Sequence, residues 1–179
     1  LAYLPANNRA EATRIDTREV AEFDLDSVIP DSAADAYDMR AVVNAVVDKG
    51  SFFELSAEAA PNIITGFAFV DGRAVGIVAN QPLSLGGALD SAAVEKAARF
   101  VRLCDAFNTP IIEFVDSPGF VATPAEERAG LLRRAAGFAY AQAEASVGKL
   151  TVVTRKAIGP AYAFMGSKDL GADLVYAWP

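Results

Sequence analysis

Histidine is absent from this chain of 179 residues, and cysteine occurs once, at Cys104. The first absence excludes Ser-His and Cys-His triads and His-ligated metals within these residues. The second excludes an intrachain disulfide and a Cys-rich zinc site, so no metal site is expected. Long apolar runs are also missing, and none approaches the ~18–20 residues that a membrane span needs. Residues 1–9 hold Pro5, Asn7 and Asn8 and no apolar stretch, so nothing there resembles a signal peptide. Positive charge is scarce: 16 Lys and Arg stand against 23 Asp and Glu, a net charge of −7. No basic stripe of the kind that nucleic-acid binders carry is present. The lone cysteine suits a reducing, cytoplasmic compartment. Chemistry must therefore run on backbone amides, carboxylates, Lys, Tyr, or a cofactor that carries its own acid/base group.

What is present is a globular sequence. Hydrophobic residues make up 53% of the chain, with Gly and Pro at ordinary levels, enough for one domain with a real core. The first residue is Leu1 rather than Met, which suggests a piece of something longer. Residues 1–36 are polar and acidic and read as an extended leader or interdomain connection, with the domain proper over 37–179. Met39, Val42, Val43, Val46 and Val47 fall at helical spacing, predicting a helix over 35–49 closed by Gly50. Phe52 and Phe53 lead into a short strand ending near Leu55. Strands are predicted over 63–70 and 74–80, joined by Asp71-Gly72-Arg73, because Asp-Gly between apolar runs is a strong hairpin signal. Asp90 or Ser91 caps a helix to about Phe107. Its buried stripe is Val94, Ala97, Val101 and Cys104, with Glu95, Arg99 and Arg102 on the wet side. A strand over 110–116, one Ala-rich helix over 124–146, a strand over 150–154, a helix from Pro160 to about Leu170 and a strand over 173–177 complete the series. This rhythm predicts an α/β domain with mostly parallel, buried pairing.

Three predicted strand ends carry distinctive loops, at 79–82, 116–120 and 157–162, and α/β folds bind ligands at such ends. The last puts backbone N–H groups at a helix start, the arrangement an enolate or oxyanion needs. Taken alone, a Gly-Pro-Ala helix start is more often merely structural.

Together the loops carry a family likeness. Val75-Gly-Ile-Val-Ala-Asn-Gln-Pro82, Lys96 through Asn108, Asp116-Ser-Pro-Gly-Phe120, Thr154-Arg-Lys-Ala157, Gly159-Pro-Ala-Tyr162, Met165-Gly-Ser-Lys168, Leu170-Gly-Ala-Asp173 and Tyr176-Ala-Trp-Pro179 follow its pattern. The upstream pieces Tyr3-Leu-Pro5, Tyr37-Asp-Met-Arg40 and Asn62 through Gly66 agree as well. The chain resembles, from end to end, the C-terminal half of the carboxyltransferase (β) subunit of biotin-dependent acyl-CoA carboxylases of the propionyl-CoA/acetyl-CoA type. That resemblance implies a crotonase-like (ClpP/crotonase) ββα spiral, here a single lobe without its last segment, from a subunit that forms a hexamer when full-length. It implies carboxybiotin on a carrier domain as cofactor, acyl-CoA as substrate, and a biotin carboxylase and biotin carrier subunit as partners. It implies an oxyanion hole at Gly159, Pro160 and Ala161, with Tyr162 and Ala163 shaping the acyl pocket. Asn80, Pro118, Gly119 and Phe120 would border the biotin and acyl-CoA cleft. Lys96 and Arg99 are candidates for cleft or CoA contacts, with a solvated helix face as the other reading.

Some positions depart from the family pattern. The family's Gly-Gly-Ala-Tyr is Gly159-Pro160-Ala161-Tyr162 here, and proline has no N–H to donate. Losing one such donor typically costs ~3–4 kcal/mol, or ~10²–10³ in rate; alternatively Ala161 and a neighbour suffice and Pro160 stiffens the turn. A small acidic residue common after that Tyr is Ala163, and the stretches 121–124 and 133–137 also differ. Two readings follow: an active carboxyltransferase with altered acyl preference, or a divergent, catalytically weak paralogue serving assembly or ligand binding.

Overall fold

The computed structural model describes residues 2–16 and 24–178. Expectations that fall on residues 1, 17–23 and 179, including part of the leader, lie outside the described residues. The first helix, α1 (Met39–Val46), is shorter than the periodicity predicts. Asp38 is in extended conformation and its carboxylate accepts from the Arg40 N–H, which starts the helix there. Strands β1 (Phe53–Leu55), β2 (Ile63–Val70) and β3 (Arg73–Asn80) are antiparallel neighbours. The β2–β3 turn is the predicted one: Asp71 and Gly72 are both left-handed, at φ 48° and 72°, as a two-residue hairpin of matched twist requires.

From β3 onward the pairing is parallel. Helix α2 (Ser91–Ala106) leads to β4 (Ile111–Ser117), and α3 (Pro124–Arg128) and α4 (Leu131–Glu144) lead to β5 (Lys149–Ala157). Helix α5 (Gly159–Phe164) leads to β6 (Leu174–Ala177), and the six strands lie in sequence order. The α/β expectation and its ββα unit, β2–β3–α2, are thus present. The single helix predicted over 124–146 is instead two, because Gly130 at φ 79° turns the chain between them. The helix predicted from Pro160 to Leu170 stops at Phe164, ahead of Gly166 at φ 66°.

The sheet separates two apolar layers. Ile63, Val78, Ile111 and Val115 pack with α2 and α4, including Val94, Val101, Cys104, Leu131 and Phe138. Ile64, Ile77 and Phe114 face the other way, onto Met39, Val42 and Val43 of α1. Fully burying each such side chain contributes about 1.5–3 kcal/mol. Cys104 is a core residue as expected; a Cβ on Gly76 would stand 2.4 Å from its Sγ, so α2 meets β3 at bare backbone. The described residues ahead of α1 lie along this body. Arg14 bridges to Arg73, and Tyr3 stacks on Phe69 with ring centroids 4.7 Å apart.

Candidate functional site

Because β3, β4 and β5 are parallel, their C-terminal ends share one edge of the sheet. The three loops singled out in the sequence therefore meet there. Backbone bonds join them: Ile158 N–H donates to Ser117 O at 3.1 Å, and Ser117 pairs with Ala157 across β4 and β5. Gly119 O accepts from Leu89 N–H at 3.0 Å and Leu89 O accepts from Val121 N–H at 2.9 Å, so the 81–89 loop is stitched to the 118–121 loop. Phe120 packs against Phe164 of α5, centroids 5.7 Å apart.

On this edge Pro118 is exposed, and Gly119 and Phe120 are half-buried. Gly159 and Pro160 are exposed, while the Ala161 side chain is buried and Tyr162 and Ala163 are half-buried. Ile158 is spent on Ser117, and Pro160 has no N–H. Among the described residues, no hydrogen bond uses the N–H of Gly159 or Ala161, as befits amides in a first helical turn. Both are open donors on this edge.

Two of the sequence candidates stand differently. Asn80 has no exposed surface: its Nδ2 donates to Gly87 O at 3.1 Å and its Oδ1 accepts from Asp116 N–H at 3.2 Å. It supports the loops from behind. Lys96 is half-buried and lines a cavity of about 320 Å³ with Leu55, Ser56, Ala60 and Phe100. Its ammonium donates to the carbonyls of Ser56, Ala59, Ala60 and Ile63 at 2.8–3.4 Å, which ties it to the 56–63 loop. Burial lowers its pKa. Arg99 is on the exposed face of α2, its side chain 79% exposed.

A groove of about 450 Å³ runs from Phe120 through Val121, Pro124, Glu127 and Leu131 to Arg133. It takes in residues 121–124, one of the two stretches singled out in the sequence as departures.

Sequence reasoning gave no role to Asp116, Arg155 or Lys156. Asp116 is fully buried; its Oδ2 is 3.0 Å from Arg155 Nε and its Oδ1 3.7 Å from Lys156 Nζ and 3.2 Å from Lys156 N. This carboxylate fixes the β4–β5 irregularity between Val115 and Ser117, from which the Pro118 loop departs. The available signal was opposite charges ending two adjacent strands. Arg155 also covers the Tyr37 ring at 5.0 Å, and burial raises the pKa of the Tyr37 hydroxyl, which bonds Thr154 Oγ1. Among the described residues no group of His, Cys, Asp or Glu could hold a metal ion, and no helix is long and apolar enough to cross a membrane.

The chain matches the carboxyl transferase domain family over residues 1–179. It is 49% identical to the propionyl-CoA carboxylase beta chain of Saccharopolyspora erythraea, covering 100% of this chain and 35% of that protein. It is equally, 49%, identical to the biotin-dependent acetyl-/propionyl-coenzyme A carboxylase beta5 subunit of Mycobacterium tuberculosis, over 100% of this chain and 34% of that one. The transcarboxylase 12S structure, a hexamer assembly with methylmalonyl-coenzyme A and methylmalonic acid bound, superposes with a TM-score of 0.97 at 45% identity, covering 100% of this chain and 36% of that chain. The chain thus spans about a third of the length of these relatives. The fold is that of one crotonase-like lobe. Matched along its whole length in sequence and in three dimensions, this chain belongs to the carboxyl transferase domain family.

Proposed function

We propose that the chain is one lobe of a carboxyltransferase subunit that moves a carboxyl group from carboxybiotin to the α-carbon of a short acyl-CoA. The observation that carries this reading is the pair of unengaged N–H groups, Gly159 and Ala161, on the edge where the loops after β3, β4 and β5 meet. The named relatives supply the substrate class: propionyl-CoA and acetyl-CoA carboxylases, one of them called biotin-dependent, and a transcarboxylase that binds methylmalonyl-coenzyme A.

The residues fit a neutral cyclic urea and a thioester. Both need donors for an oxygen that gains negative charge, and neither needs a protein base. No free carboxylate stands among the candidate residues at 118–120 and 159–163 to repel such an oxygen, and buried Asp116 is neutralised by Arg155 and Lys156. Biotin, when bound in its carboxylated form on a carrier, supplies the carboxyl group and a basic ureido nitrogen. Gly159 and Ala161 N–H then hold the oxygen on which charge develops, an effect worth ~3–4 kcal/mol per donor. Phe120 and Phe164 keep water from one side, which strengthens those bonds. Pro118 and Gly119 shape the rim, Tyr162 and Ala163 the acyl side, and Asn80 holds the rim in place. Lys96 fixes the 56–63 loop. A partner subunit and its carrier complete the site, within a homo-oligomer of hexamer type, in the reducing cytoplasm.

The test is Ala161→Pro in the full-length subunit with its carboxylase partner. The substitution deletes one donor at a buried position that follows Pro160, so folding is measured beside transfer. Carboxyl transfer should fall ~10²–10³-fold in the protein that remains folded. An undiminished rate in a folded variant would overturn the assignment.

A further inference from the structure

On β4, Glu113 lies between Ile111 and Val115 on the face that α2 and α4 cover. It has no exposed surface. Its Oε1 accepts from Gln142 Nε2 of α4 at 2.5 Å, and its Oε2 has no partner among the described residues. No cation lies within ion-pairing distance of it among those residues: Lys149 Nζ donates instead to the carbonyls of Gln142 and Leu170. Gln142 Oε1 and Ser167 Oγ are also buried without a partner among the described residues. The carboxyl presses on the turn that ends α5. A Cβ on Gly166 would stand 2.8 Å from Glu113 Oε1 and 2.5 Å from Thr151 Oγ1, and the Thr151 hydroxyl donates to Gly166 O at 2.6 Å. Gly159 and Ala161 lie in the first turn of α5, the six-residue helix that runs into that turn.

We propose that Glu113 is a positioning residue: as an uncharged carboxyl it seats the turn at 165–167 and so sets where α5 presents the N–H groups of Gly159 and Ala161. The proposal rests on the reading that these two are the donors. An ionised carboxylate here, buried and without a cation, would cost several kcal/mol. Burial accordingly pushes the Glu113 carboxyl up to about 8, with the Gln142 bond and the Lys149 charge opposing. The other titratable groups around the site are Cys104 and Asp105 of α2, Lys149 of β5, and Asp173, whose Oδ2 accepts from Lys149 N–H at 2.8 Å. The sign is fixed by linkage. A carboxyl raised above its unfolded value of ~4.3 contributes full stability below that value and loses it as pH rises toward and through the folded value.

The experiment is amide hydrogen exchange followed by mass spectrometry from pH 7 to 9.5, corrected for intrinsic chemistry, in the full-length subunit. In the wild type, peptides covering 159–170 should exchange about tenfold faster at the alkaline end, while α2 peptides do not change. Glu113→Gln, which keeps the shape and cannot ionise, should flatten this response to within about twofold. Thr151→Val, which frees Gly166 O, should raise exchange of the same peptides at every pH. If the wild-type response is flat, the positioning role is overturned whatever happens to transfer, and no variant needs to fold for that result. If exchange titrates but carboxyl transfer shows the same pH profile in wild type and Glu113→Gln, α5 is not the donor element. The proposal then fails through the functional reading, an outcome that Ala161→Pro reports separately.

Discussion

Removing Arg155 tests how the buried charges hold the site edge. Asp116 is wholly buried and Arg155 only 11% exposed, so this is an interior ion pair. Breaking an interior pair from one side typically costs ~3–5 kcal/mol, because the remaining charge stays buried without its partner. Arg155→Met keeps the aliphatic stem and removes the guanidinium, together with its bonds to Ser32 O and Asp35 O, each 2.8 Å long. Lys156 Nζ stays near at 3.7 Å and softens the loss, which places the expectation at the lower end, ~3 kcal/mol. Asp116→Asn should be costly too, since it strands Arg155 and Lys156. The double variant should be less unstable than the sum of the singles by ~1–3 kcal/mol. Urea unfolding of all four proteins, with midpoints and slopes fitted together, supplies the cycle. A change below ~1 kcal/mol for Arg155→Met, or additivity within ~0.5 kcal/mol, would refute the idea that this pair organises the β4 and β5 ends.

Two other substitutions address separate steps of the argument. Pro160→Gly in the full-length subunit should alter transfer by less than about threefold, because Gly159 and Ala161 already supply the donors; a rise of ~10² would mean that position 160 is the missing one. Gly76→Ala should destabilise the lobe by ~1–3 kcal/mol, because its Cβ meets Cys104 Sγ at 2.4 Å and Phe100 at 3.2 Å. Adding Cys104→Ala should recover part of that loss in thermal unfolding, and no recovery would dismiss the overpacking account.

Much of the fold was legible. The apolar runs at 63–70 and 74–80, with Asp71-Gly72 between them, became β2, β3 and their turn. Asp90 caps α2 as expected, accepting from Ala93 N–H at 2.8 Å. Helix ends were less legible. Apolar periodicity continues past Gly130 and Gly166, and an isolated glycine is compatible with a helix interior at a cost of ~1 kcal/mol. Only the packed chain shows both at positive φ. Thr123 starts α3, and Glu126 in its first turn accepts from Ser91 N–H at 2.7 Å, a contact over 35 residues that no local pattern announces.

Strand periodicity, the hairpin, the capped α2 and the loops at strand ends followed from the sequence alone, because each depends on dihedral preferences and spacing within a few neighbouring residues. The fates of Asn80, Lys96, Glu113 and Asp116 were decided by tertiary structure. Their carbonyl, amide, guanidinium and ammonium partners lie 7 to 40 residues away, and whether a polar group faces water or a partner is settled only when the strands align. Parallel pairing of β3, β4 and β5 then set the open N–H groups beside the Pro118 loop, since strands running one way must end on one edge.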